Sequence, residues 1–310
     1  MEYSDSNLNS LLKSAYWIAG PTASGKTHLA IKLAEQIQAE IVSVDSMQVY
    51  QGMDIGTAKP SSDELAAVPH HMIDVVDLNE SYDAARFRQE ALRAAADVHQ
   101  RGRKVIFCGG TGLYFQALIH GIGKGPPSDE SVRRDLEDLS IEELRCELKE
   151  SDPHTYEEID LHNKRRLIRA LEVFRLTGRS FASFKSDWKR SSIIDPSRFC
   201  VLVRPAEVLR KRIHDRVLIM IQAGWIEETK QLLNKGLRQN STANQAIGYR
   251  QIVEYLEGTW SLDEMIQSIQ NKTWQFAKRQ RTWFRHQIKN RPVHLEGDRP
   301  EYAFKEILSD

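Results

Sequence analysis

The sequence predicts an α/β fold: a parallel sheet with helices on both faces, carrying an inserted all-helical domain. Three observations predict it. Short apolar runs alternate with helical stretches up to His120, the rhythm of a parallel sheet. The stretch GPTASGKT, Gly20 to Thr27, joins the first such run to the first strong helical pattern. After the loop GIGKGPP at residues 121–127 the strands stop, and charged helical sequence runs to about Arg190.

The first run, residues 16–19, feeds the glycine loop. Gly20, Gly25, Lys26 and Thr27 fill every fixed position of G-x-x-x-x-G-K-[ST]. Strand, glycine loop and helix in that order make the motif a phosphate site. Glycines let backbone N–H groups turn onto an anion, and the helix start adds its positive end. The core is therefore P-loop NTPase-like. Gly20, Pro21, Thr22, Ala23, Ser24, Gly25, Lys26 and Thr27 are expected to cradle phosphates, with Lys26 neutralising charge and the Thr27 hydroxyl suited to Mg²⁺.

The second run, residues 41–44, ends at Asp45, a carboxylate at the sheet edge that faces the same crevice. It suits a water-mediated metal contact, a general base, or a cap on its own turn. A third run spans residues 72–76 and a fourth 105–108, the latter ending in GGTGLYF. Gly109, Gly110 and Gly112 bring backbone close to the crevice, and Thr111 offers a hydroxyl at the next helix start. A Walker-B strand would end in an acid here; glycine argues against ordinary nucleotide hydrolysis. Helices are expected at 83–100 and 111–120, a fifth strand at 199–203, and helices from Glu207 onward. The expected domains are a first part of the core (1–120), a helical insertion (121–190) and the rest of the core (191–310).

With 41% hydrophobic residues the chain can fill a core of this size. The start, MEYSDSNLNSLLK, lacks the basic and apolar regions of a signal peptide. No run approaches a membrane span. Cys108, Cys146 and Cys200 are scattered without metal-ligand spacing, which suits a reducing cytoplasm. A net charge of zero hides strong local bias. Residues 129–160 hold 13 acidic and 4 basic side chains, residues 161–190 hold 9 basic and 2 acidic, and residues 261–292 hold 7 basic and 2 acidic. Such asymmetry suits a polyanion held along defined faces, as it does solvated helix faces.

Within the insertion, Arg165, Arg166 and Arg169 fall near one helical face while Leu167, Ala170, Leu171 and Phe174 pack inward. They suit lid arginines of a small-molecule kinase or a grip on an RNA backbone. In the last long helix Leu262, Ile266, Ile269, Thr273, Phe276, Gln280 and Trp283 form the expected core stripe. Lys278, Arg281 and Arg285 lie on a neighbouring side, among aromatics that suit RNA bases.

These stretches together resemble one family. GPTASGKT (20–27), DSMQVYQGMDIGTAKP (45–60), GGTGLYFQAL (109–118), RRLIRALEVF (165–174), AIGYRQ (246–251) and AKRQRTWFR (277–285) resemble the bacterial tRNA dimethylallyltransferases, or tRNA isopentenyltransferases, over nearly the whole length. The resemblance implies that the loop holds the diphosphate of dimethylallyl diphosphate. The allyl group moves to the exocyclic amine of the adenine 3′ of the anticodon, in tRNAs reading codons that begin with U, and pyrophosphate leaves. It implies a general base at Asp45, an orienting hydroxyl at Thr111 and added positive charge from Arg133. It further implies Mg²⁺ as cofactor, held at Thr27.

The anticodon loop of tRNA is the implied partner. Its contacts fall to Asp45, Ser46, Met47 and Gln48, which line a pocket for the extracted base, and to Arg165, Arg166, Leu167, Ile168 and Arg169. Gln245, Ala246, Ile247, Gly248, Tyr249 and Arg250 join them, with Lys278, Arg279, Gln280, Arg281, Thr282, Trp283, Phe284 and Arg285. A polar residue is the family expectation at Ile168, which this chain lacks. The protein is expected to be a cytoplasmic monomer away from membranes. A P-loop small-molecule kinase and a free-adenylate isopentenyltransferase are the competing enzymes, and a non-catalytic RNA-binding protein is the remaining alternative.

Overall fold

The computed structural model describes residues 5–123, 125–184, 194–295 and 307–308. The chain divides into two compact units, Met1–Ile119 with Ser192–Asp310, and His120–Ser191.

In the first unit, helix α1 (Asp5–Ser14) leads into strand β1 (Tyr16–Ala19), followed by α2 (Lys26–Ile37), β2 (Ala39–Val44), α3 (Ser62–Ala67) and β3 (His70–His71). Next come α4 (Ala84–Gln100), β4 (Lys104–Gly109) and α5 (Gly112–His120). The second unit holds α6 (Glu130–Glu137), α7 (Ile141–Ser151), α8 (Pro153–Glu158) and α9 (Lys164–Thr177). The chain returns to the first unit with β5 (Phe199–Val203), α10 (Ala206–Gln222), α11 (Trp225–Asn234), α12 (Tyr249–Leu256), α13 (Leu262–Gln287) and β6 (Arg291–His294).

The six strands form one sheet in the order β3-β2-β4-β1-β5-β6, every pair parallel. A parallel sheet is covered on both faces. Side chains alternate along a strand, so Trp17 and Ala19 of β1 enter one core while Tyr16 and Ile18 enter the other. Trp17 stacks on Phe107 at 4.3 Å between ring centres, and Phe115 meets Phe199 and Phe284 edge-on, which pins α5 and α13 to that face. The helical unit packs around Leu136, Leu144, Leu148, Leu167 and Leu171.

Three expectations need correction. Residues 72–76 are not a strand. Met72 and Asp74 take left-handed backbone, φ 64° and 55°, which an extended strand cannot continue through. The segment instead wraps the turn after β2, with Asp74 N–H donating to Gln48 O and Val76 N–H to Val49 O. The sheet also gains β6, read from sequence as the tail of a helix. Its Pro292 is tolerated because the strand lies at the sheet edge. On α13 the buried stripe is Met265, Ile269, Ala277, Gln280 and Phe284. Leu262 is exposed and Phe276 half-buried, with the Arg279 guanidinium near its ring.

Candidate active site

The glycine loop leaves β1 at the centre of the sheet. Gly25, at φ 97°, takes the left-handed conformation from which α2 starts, and no side chain caps that helix. Its first N–H groups are thus left for an anion. Lys26 Nζ donates to Pro21 O at 2.8 Å. Burial pulls its pKa down from 10.5 to about 8, and Arg216 adds to the pull, while the Asp45 carboxylate acts to hold the charge. The Cys108 thiol is itself pushed up to about 12 by burial and stays neutral.

Three arginines that the sequence reading did not single out secure this loop. Arg204, just past β5, donates from Nε to Ser24 O at 2.8 Å. From α10, Arg212 Nε reaches Ala23 O at 2.9 Å and an Arg216 terminal nitrogen reaches Thr22 Oγ1 at 2.8 Å. Arg212 and Arg216 stand four apart in RKRIHDR, one helical face, and that spacing was the available signal.

Asp45 follows β2. Its Oδ1 accepts N–H bonds from Met47 at 2.8 Å and Gln48 at 3.3 Å, so one oxygen caps its own turn. Its Oδ2 makes no hydrogen bond among the described residues. Thr111 Oγ1 accepts the Ser46 N–H at 3.0 Å, joining the start of α5 to the residue after Asp45. Val44 O accepts the N–H groups of both Gly110 and Thr111 at 3.2 Å. A Cβ at Gly109 would collide with that carbonyl, which is why β4 ends in glycine. Gln280, on α13, ties the two loops: its Oε1 accepts the Thr22 N–H at 2.8 Å and its Nε2 donates to Gly110 O at 2.9 Å.

The Gln48 amide is held inside the fold. Oε1 accepts from Ser43 Oγ at 2.8 Å, and Nε2 donates to Thr57 O and Ala58 O at 3.2 Å. The loop carrying those carbonyls is secured by Glu228 of α11. Its carboxylate accepts the N–H groups of Asp54, Ile55 and Gly56, at 2.7 Å for Ile55, and the Tyr249 hydroxyl at 2.6 Å. Trp225 fills the space where Gly56 and Gly248 lack side chains. Glu228→Ala is expected to lower folding stability by roughly 2–4 kcal/mol, since it strips a carboxylate from several N–H donors. An unchanged midpoint in urea denaturation would show that this clamp contributes nothing.

Much of the stretch 245–250 is thus buried. Ala246, Gly248 and Tyr249 face the interior, whereas Gln245 and Arg250 are exposed. On α13, Gln280 and Phe284 are buried, and Arg279, Thr282 and Arg285 are exposed. Lys278 is also exposed, with its ammonium near the Trp274 ring.

In the helical unit Arg165 and Arg166 are exposed, but Leu167 and Ile168 belong to the core, at 0% and 7% exposure. That burial corrects the expectation that the whole run presents itself to RNA. Arg133 and Arg169 both bind the buried Glu172, at 2.9 and 2.7 Å, and Arg169 also donates to Pro126 O at 2.7 Å. Both guanidiniums are therefore anchored, and a buried carboxylate needs such partners.

Comparison with known proteins shows the family. The family described as IPP transferase matches residues 48–287. The chain is 46% identical over 272 residues to "tRNA dimethylallyltransferase 2" of Geotalea uraniireducens, covering 86% of this chain and 87% of the relative. It is 43% identical over 271 residues to the tRNA dimethylallyltransferase of Thermotoga petrophila, covering 86% and 88%. The crystal structure of the tRNA isopentenylpyrophosphate transferase of Bacillus halodurans superposes with a TM-score of 0.70 at 37% identity, covering 95% of this chain and 94% of that one. A eukaryotic dimethylallyltransferase acting on tRNA gives a TM-score of 0.76 at 28% identity, covering 91% and 74%. On a match that spans most of its length, the chain belongs to the tRNA dimethylallyltransferase family.

Proposed function

We propose that this protein moves the dimethylallyl group from dimethylallyl diphosphate to the exocyclic amine of the adenine 3′-adjacent to the anticodon, in tRNAs reading codons that start with U, and releases pyrophosphate. The observation that carries this reading is the meeting of the Asp45 turn, Thr111 and the glycine loop through Gln280. A proton acceptor and an anion cradle thus stand at one sheet edge, as displacement of a diphosphate by a weak amine requires.

The lone pair of an adenine amine is delocalised into the ring, so attack on the allyl carbon needs proton removal. The Asp45 oxygen not used by its own turn accepts that proton. Charge grows on the departing diphosphate, where Lys26, the loop N–H groups and Arg216 stabilise it. Thr111 keeps the Asp45–Ser46 backbone in register with the reacting amine. The donors present at the loop fit Mg²⁺, which keeps several waters and takes its remaining ligands from phosphates. Thr27, whose hydroxyl has no hydrogen bond among the described residues, would hold the ion, with Asp45 reaching it through water. When bound, Mg²⁺ offsets charge on the diphosphate.

The RNA contacts of this reading are the exposed Arg165, Arg166, Gln245, Arg250, Lys278 and Arg285, with the half-buried Arg281. No helix among the described residues is long and apolar enough to cross a membrane; a monomer acting in the cytoplasm is our reading. Nucleoside mass spectrometry of tRNA incubated with the protein and dimethylallyl diphosphate tests the assignment. Isopentenyladenosine at the position next to the anticodon is expected, with no consumption of γ-labelled ATP. Unmodified tRNA, or turnover of ATP, would overturn it.

A further inference from the structure

The end of α13 and strands β5 and β6 enclose a cavity of about 650 Å³ next to the glycine loop. Arg281, Arg285, His286 and Lys289 line it from the helix end, and Arg204 and His294 from the strands. Among the described residues, no carboxylate side chain lines it. The side chains of Arg281, Arg285, His286, Lys289 and His294 form no hydrogen bond or ion pair among the described residues, in contrast to Arg204, which holds Ser24 O.

Several cations elsewhere do carry a counter-charge. Arg86 is paired with Glu80 and Glu90, Lys59 with Asp54 and Asp74, and Arg175 with Glu147. Cations gathered in one concave space without a counter-charge repel one another, and concavity strengthens their field. Such a site gains most from a ligand that brings several negative oxygens. Arginine forks match phosphate in geometry, and lysine adds a point charge. The Asn290 amide is neutral, and its Nδ2 donates to the carbonyls of Phe284 and Ile288.

We propose that this cavity is a phosphate site separate from the glycine loop, formed by Arg281, Arg285 and Lys289 with the two histidines. The phosphate can come from the RNA backbone or from free inorganic diphosphate. The RNA source rests on the proposed function, whereas the diphosphate source does not.

Lys289→Glu is the direct test, because Lys289 is exposed and its replacement leaves the core intact. Thermal melting of the variant checks the fold. In one arm, an anticodon stem-loop is titrated across a salt series against wild type, Lys289→Ala and Lys289→Glu. If the RNA supplies the phosphate, Lys289→Ala makes the slope of log affinity against log salt shallower by about 0.7, and Lys289→Glu weakens binding further. In the other arm, inorganic diphosphate is titrated calorimetrically against Lys26→Ala, which weakens the glycine loop, and against Lys26→Ala with Lys289→Glu. If free diphosphate is the occupant, the residual binding of the first protein disappears in the second. A loss in either arm supports the site and identifies its source. Unchanged salt slopes together with unchanged diphosphate binding overturn it. Wild-type protein that prenylates no tRNA would sink the proposed function yet leave the diphosphate arm decisive for the cavity.

Discussion

Asp45→Asn lowers the single-turnover rate of prenyl transfer by roughly a hundred- to ten-thousand-fold, while tRNA affinity stays close to wild type. Asparagine is the informative replacement because Asp45 has two tasks. Its Oδ1 holds the turn through the N–H groups of Met47 and Gln48, and an amide oxygen can still accept both. What asparagine cannot do is take up the amine proton at the other position. Asp45→Ala removes both tasks and is expected to lose as much turnover, together with some order in the Ser46–Gln48 turn. If the Asn variant turned over at near-normal rate while the Ala variant did not, Asp45 would be a turn cap and the base would lie elsewhere.

The second large effect lies at Lys26. Lys26→Met should lower kcat/KM for dimethylallyl diphosphate by roughly a hundred- to a thousand-fold, the scale of losing one preorganised donor to developing negative charge. Binding of the anticodon stem-loop alone should be spared; an equal loss there would break the division between diphosphate site and RNA site.

The pKa of about 8 adds a pH signature. In the ligand-free protein the ammonium is lost as pH rises through 8, so wild-type affinity for the diphosphate falls over that range, and Lys26→Met loses this component. Stability moves the other way. The folded pKa lies below the 10.5 of the free side chain. Between about 8 and 10.5 the unfolded chain therefore binds more protons, and the Lys26 contribution to stability rises with pH. Below pH 8 both states are charged and the cost of burying the ammonium is fully present. The check is the wild-type minus Lys26→Met difference, in diphosphate affinity and in melting temperature, between pH 7 and 10. Parallel trends in the two differences would contradict a buried ammonium.

Legibility followed the range of the forces involved. The runs at residues 16–19, 41–44, 105–108 and 199–203 were readable as strands because burial on both faces demands continuous β-branched and apolar residues. They became β1, β2, β4 and β5. The glycine loop was readable because its chemistry is local: the positive φ of Gly25, the helix start and the lysine all lie within a few residues. Residues 72–76 misled because a short apolar run suits a loop that packs on the core as well as a strand. Strand β6 was hidden by its proline, which only an edge position excuses.

The sequence by itself determined the class of fold, the glycine loop between β1 and α2, and Asp45 at the end of its strand, since each depends on neighbours in the chain. Tertiary structure alone decided which distant groups complete the site. Gln280 reaches Thr22 across 258 residues, and Arg204 reaches Ser24 across 180. Only folding revealed that Arg133 and Arg169 share the buried Glu172, or that Leu167 and Ile168 turn away from solvent. The physical reason is that a polar side chain's partner is fixed by where the buried faces of its helix come to rest. Periodicity tells which face is buried, but not what it will meet.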